Sequence, residues 1–117
     1  MRLSDSREVL LRLRWLAILS GLLKKANFAV TGGVHTAADA IKAMMCGASA
    51  VQVVAAILRS GPERLRAMRV EVESWMAEHE YTSVESMRGC MNITRAPNPN
   101  VFSRANYMRI LQTWVPE

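Results

Sequence analysis

Aromatic residues make up only 6% of this 117-residue chain, and cysteine occurs twice. Neither cysteine belongs to a CxxC pair, and no histidine stands at metal-ligand spacing from Cys46 or Cys90, which argues against a zinc site or a disulfide framework. Both are read as structural thiols. Long apolar runs are also missing at the N-terminus, where charges interrupt "MRLSDSREVLLRLRW" at every turn. Such a segment has neither a signal-peptide core nor a membrane span, so a cytoplasmic, reducing location is expected. The scarcity of aromatics bears on nucleic acid as well. Fifteen Lys and Arg against ten Asp and Glu give a net charge of +5, but the excess is scattered, and the densest basic stretch, "RLRAMR", alternates with apolar residues. A nucleic-acid binder clusters its charge or interleaves it with stacking rings, so none is expected here.

Half of the residues are hydrophobic and 21% are charged, the balance of a chain that folds around a core. The length suits one small domain. From Arg7 to Lys25 the apolar residues Val9, Leu10, Leu13, Leu16, Ala17, Leu19, Leu22 and Leu23 recur at three- and four-residue steps, predicting a helix capped by Asp5 or Ser6. "FAV" at 28–30 is short and evenly apolar, as a fully buried strand is. Thr36 then caps a second helix that runs to about Met45, with Asp39 in the capping-box position and Gly47 just past its end. "SAVQVVAAIL" follows as a second strand, expected over Ala48–Ile57. Pro62 opens a third helix reaching about His79, with Leu65, Met68, Val72, Trp75 and Met76 on one side. A short helix is expected between Ser83 and Gly89, a loop at "NITRAPNPN", and a last helix at "FSRANYMRILQTW". Strand, helix and strand in this order predict an α/β protein with neighbouring parallel strands.

The chemistry concentrates at "TGGVHT", residues 31–36. A loop that leaves a buried parallel strand and opens onto a helix N-terminus presents backbone N–H groups and a positive dipole end, and glycine lets a phosphate approach that backbone closely. If the next strand is parallel and adjacent, its C-terminal end near Val54, Ala55 and Ala56 lies beside Gly32 and Gly33. Two such loops followed by a short helix match the phosphate site that (β/α)₈ barrels build after their last two strands.

At this point the residues resemble a family. The run "FAVTGGVHTAADAIKAMMCGASAVQVVAAILRSGPERL" is similar to the last quarter of the barrel of FMN-dependent dihydroorotate dehydrogenases, and "LRLRWLAIL" and "ANYMRILQTW" resemble the bacterial dihydroorotate dehydrogenase-like proteins. The resemblance implies the last two βα units plus C-terminal helices of a TIM (β/α)₈ barrel. Residues 1–117 would be one partial barrel domain, with 92–117 as its C-terminal loop and helix extension. It implies FMN as cofactor and oxidation of dihydroorotate, or a related dihydropyrimidine, to orotate. Gly32 and Gly33 would hold the FMN phosphate from one side, and Val54 and Ala55 from the other. Ser4, in "LSD", would fall near the same phosphate. Where the family commonly has Gly-Thr this chain has Val54-Ala55, and Asp5 stands where many members have glycine. The family's catalytic base lies on earlier strands, so no catalytic residue is expected here. The chain is expected to be the C-terminal portion of a longer enzyme. With open strand edges and apolar helix faces, it is expected to be poorly stable alone, to pair through those faces as a homodimer, or to come from a truncated reading frame.

Two other functions fit the same residues. Other phosphate-handling barrels share paired loops, so a phosphorylated metabolite is one alternative ligand. A basic helical module that binds a partner protein is the other. His35 is expected to be an exposed polar residue, and His79 to meet the dipole at a helix end. Met44, Met45, Met68, Met76, Met87 and Met91 are expected to fill core or interface. No role is assigned to Arg104, Asn106 or Tyr107.

Overall fold

The structure is a computed structural model and describes residues 2–98. In chain order it contains α1 (Ser6–Leu22), β1 (Ala29–Thr31), α2 (Ala37–Cys46), β2 (Ala50–Gln52), α3 (Ala55–Ser60), α4 (Glu63–Glu78), α5 (Val84–Met87) and a 3₁₀ turn at Ile93–Arg95. The expected helix at 102–114, with Arg104, Asn106 and Tyr107, lies outside the described residues.

Each of the first two helices begins where its cap dictates. Asp5 caps α1, accepting the Arg7 amide at 2.9 Å, while Glu8 accepts the Asp5 amide at 3.2 Å to complete a capping box. Thr36 and Asp39 form the same reciprocal pair at α2, and Gly47 ends that helix in the left-handed conformation. β1 and β2 pair in parallel, with Ala29, Val30 and Thr31 opposite Ala50, Val51 and Gln52. The strand, helix, strand unit and the parallel pairing are therefore as expected, although the described residues are mostly helical.

The second strand is much shorter than Ala48–Ile57. It stops at Gln52, and Ala55 and Ala56 are buried in the first turn of α3 instead. A continuous apolar run does not distinguish a buried strand from a buried helix, which is why "VVAAIL" misleads.

The core lies between the helices and one face of the strand pair. Val9, Leu13 and Leu16 of α1 meet Val30, Val34, Ala40, Ala43, Ala48 and Met68. The buried stripe of α1 is narrower than its sequence suggests: Val9, Leu13, Leu16, Ala17 and Ile18 are inside, whereas Leu10, Leu19, Leu22 and Leu23 are exposed. On α4 only Met68 is buried, and Leu65 faces solvent. Apolar residues that find no neighbour lie next to the open edges of the sheet. A groove of about 1010 Å³ runs along β1 beneath α1, lined by Leu11, Trp15, Leu16, Leu19 and Phe28. A second, of about 680 Å³, lies by β2 between Val51, Val53, Leu65, Met68 and Val72.

The methionines divide accordingly. Met68 and Met87 are buried, Met44, Met45 and Met76 half-buried, and Met91 exposed.

Candidate functional site

The register that puts Thr31 opposite Gln52 sets the two loops at the strand ends side by side, Gly32–Gly33 next to Val53–Val54. Gly32 and Gly33 have φ of +83° and +82°, a region that a residue with a Cβ enters only with strain. The two glycines face different surroundings. A Cβ on Gly33 would come within 2.7 Å of the Val9 amide nitrogen and 2.8 Å of the Asp5 carbonyl, so the start of α1 rests directly on this glycine. A Cβ on Gly32 would meet the Arg12 guanidinium, with Nη2 at 2.9 Å. Arg12 reaches this place from α1 while its Nη1 donates to the Glu8 carbonyl at 2.7 Å and its Nη2 pairs with the Glu8 carboxylate at 3.7 Å, so the guanidinium that lies against Gly32 is already shared with an acid.

Ser4 joins the same loop. Its Oγ accepts the Gly33 amide at 3.1 Å, and that bond leaves the hydroxyl proton free to be donated elsewhere. The structure thus brings Ser4, Gly32 and Gly33 together. Asp5 adjoins them but points away: its carboxylate takes the guanidinium of Arg7 at 3.2 Å and faces Arg2 at 3.6 Å. The hydrogen bonds from the Arg7 side chain and backbone hold the Asp5 carboxyl below the usual carboxylate range.

The rest of the loop is fixed by a buried carboxylate. Asp39, only 7% exposed, accepts the His35 and Thr36 amides at 3.0 Å each and the Ser6 hydroxyl at 3.4 Å. These amides at the start of α2 are therefore already occupied. His35 is half-buried, contrary to its expectation as an exposed residue, because its ring Nε2–H donates to the Ser4 carbonyl at 2.7 Å. From α4, Arg64 donates to the His35 carbonyl through Nε at 3.3 Å and Nη2 at 3.1 Å, and pairs with Glu71 at 3.5 Å. Sequence reasoning identified Asp39 as a cap alone and missed Arg12, whose contact with Gly32 is long in range, and Arg64, whose acceptor His35 is 29 positions away. At the other end of α4, His79 Nδ1–H donates to the Trp75 carbonyl at 2.8 Å, the helix-end role expected of it.

The second loop is plainer. Val54 has φ of −120° and ψ of −61°, so glycine is not required there, and its side chain is 60% exposed. Ala55 is buried at the start of α3, whose first turn has no side-chain cap. This side supplies backbone and an exposed apolar branch, with no hydroxyl.

Residues 16–76, which contain both loops, match the family model for dihydroorotate dehydrogenase. The chain belongs to the dihydroorotate dehydrogenase family. Among curated relatives, a putative dihydroorotate dehydrogenase A (fumarate) of Streptococcus agalactiae serotype Ia is 40% identical over 62 residues, covering 53% of this chain and 20% of the relative. Proteins of the same name from Streptococcus equi subsp. equi and Streptococcus pyogenes serotype M1 are 37% and 39% identical over 59 residues, covering 50% of this chain and 19% of each relative. The matched region thus spans about a fifth of these relatives' length. The family's parent fold is the (β/α)₈ barrel, and among the described residues two parallel strands are present. No helix among the described residues is long and apolar enough to cross a membrane.

Proposed function

We propose that this chain supplies the phosphate-binding end of an FMN site in a dihydroorotate dehydrogenase-type oxidoreductase, corresponding to the last two βα units of its barrel. The observation that carries this is the pairing of loops at the carboxyl ends of two parallel strands, one of them turning on two left-handed glycines. Ligands of α/β barrels sit at that end. On the first side, the Ser4 hydroxyl, aligned by the Gly33 amide, donates to the phosphate, and the Arg12 guanidinium beside Gly32, shared with the Glu8 carboxylate, offsets part of its charge. On the second side, Val54 and Ala55 contribute backbone alone, and the missing hydroxyl of the family's Gly-Thr pair weakens that half of the grip. Asp5 does not oppose the anion, since Arg7 and Arg2 neutralise it. Bound FMN would supply the redox chemistry, accepting a hydride from a dihydropyrimidine. The described residues hold and orient its phosphate and carry no part of proton abstraction.

Titration of the purified chain with FMN, followed by flavin fluorescence, tests this. Saturable quenching that inorganic phosphate reverses is expected. A flat titration through the millimolar range contradicts it, and binding of inorganic phosphate seen by calorimetry alongside a flat flavin titration favours a phosphorylated metabolite instead.

The apolar face of α1 supports a second copy as partner. Leu11, Trp15 and Leu19 are exposed along it beside the edge of β1 that has no strand partner among the described residues, an arrangement that association relieves. Concentration-dependent dimerisation in sedimentation is expected, and a monomer at all concentrations contradicts this assembly.

A further inference from the structure

Cys46 closes α2, and Cys90 follows α5 far along the chain, yet the backbone brings them together. The Gly89 amide donates to the Met44 carbonyl at 3.1 Å, and the Met91 amide donates to the Met45 carbonyl at 2.9 Å. Cys90 is therefore held between two bonds to the last turn of α2, where Cys46 lies. Arg88 adds a third tether, its Nε donating to the Ala48 carbonyl at 3.1 Å. One hydrogen bond, from the Met91 amide to the Met45 carbonyl, thus separates the peptide that follows Cys90 from the peptide that precedes Cys46, a proximity compatible with the Cα separation of about 4.4–6.8 Å that a disulfide spans. Both thiols are free and half-buried. Burial, with a smaller contribution from Cys90 itself, pushes the Cys46 thiol up, so the two groups sense each other.

We propose that Cys46 and Cys90 form a redox-active pair that closes to an internal disulfide and locks the segment after α4 onto the C-terminal end of α2. The oxidant is a low-molecular-weight disulfide such as oxidised glutathione. The Cys90 thiolate attacks one of its sulfurs, the S–S bond breaks, and one glutathione thiolate leaves. Cys46, after losing its proton to water, attacks Cys90 Sγ and displaces the second glutathione. Two protein thiols are oxidised and one small disulfide is reduced to two thiols. Because burial disfavours the Cys46 thiolate, the first attack is assigned to Cys90. The opposite end of α2 carries the Thr36 cap and the glycine loop, so the lock braces the helix that supports the phosphate cradle.

The full chain is equilibrated with oxidised glutathione, then treated with iodoacetamide and weighed intact. The expected product is a monomer lighter by two hydrogens with no alkylated thiol, melting about 10 °C higher than the reduced chain. In Cys90→Ser the oxidation-dependent rise in melting temperature disappears. Two glutathione adducts on one chain, two alkylated thiols, a disulfide-linked dimer, or a rise that persists in Cys90→Ser would each overturn the proposal.

Discussion

The loop after β1 turns on two left-handed glycines and is pinned by α1, α2 and α4, whereas the turn after β2 has ordinary backbone angles and no side-chain cap. Both leave parallel strands at the same level of the sheet. The first is held by Ser4, Asp39 and Arg64, so its shape is fixed before any ligand arrives. The second depends on the packing of Ala55 and Ala56 and leaves Val54 in solvent. In the first loop, then, glycine serves the fold before any ligand is considered. Gly33 makes room for α1, while Gly32 faces only the end of the Arg12 side chain, which Glu8 holds.

That division breaks most visibly at Gly33. Gly33→Ala forces a Cβ against two backbone atoms that cannot swing aside and adds the left-handed penalty, so a loss of about 3 kcal/mol or more is expected in chemical denaturation. Gly32→Ala carries the conformational term of about 1–2 kcal/mol, because the end of Arg12 moves away. Equal losses at the two positions would remove the distinction between them. In ligand binding the two loops should respond in opposite directions. Ser4→Ala removes the hydroxyl that Gly33 aligns and is expected to weaken FMN about five- to tenfold, close to 1 kcal/mol. Val54→Gly restores access to the backbone and is expected to tighten FMN a few-fold, while lowering stability by less than about 1 kcal/mol, since glycine is tolerated at a helix N-cap. Isothermal titration of both variants checks the signs.

The smallest effect is a pH dependence at the start of α1. Asp5 titrates lower in the folded chain than its ordinary 3.8. A carboxyl with a depressed folded pKa stabilises above its unfolded value and loses that contribution as the pH falls through the folded one. Protection of the Arg7 and Glu8 amides, measured relative to their intrinsic exchange, should therefore fall below about pH 3.8 ahead of the amides of α2, and Asp5→Asn should flatten the difference.

Local signals read well in this sequence. The caps at Asp5 and Thr36, the glycine after α2 and the parallel strand unit all follow from short-range chemistry, and the double loop carried the family resemblance. What failed was longer in range or ambiguous in pattern. The "VVAAIL" run has no period, so the end of β2 and the start of α3 merged into one strand. The apolar stripe of α1 looked wide because Leu10, Leu19, Leu22 and Leu23 keep helical spacing although nothing in the described residues covers them. His35 has no local sign of burial, because the partner of its ring, the Ser4 carbonyl, is 31 positions away. The nearness of Cys46 and Cys90 left no mark in spacing at all, because it depends on how the chain returns to α2 after α4.

The most direct test of the phosphate cradle compares FMN with riboflavin on the unmodified chain under identical ionic strength. The two ligands share the isoalloxazine ring and differ only in the phosphate, so their affinity ratio isolates the contribution of Ser4, Arg12 and the two loops. FMN is expected to bind at least about tenfold more tightly than riboflavin, with the ratio falling as salt rises. Equal affinities for the two flavins would contradict a cradle at Gly32 and Gly33.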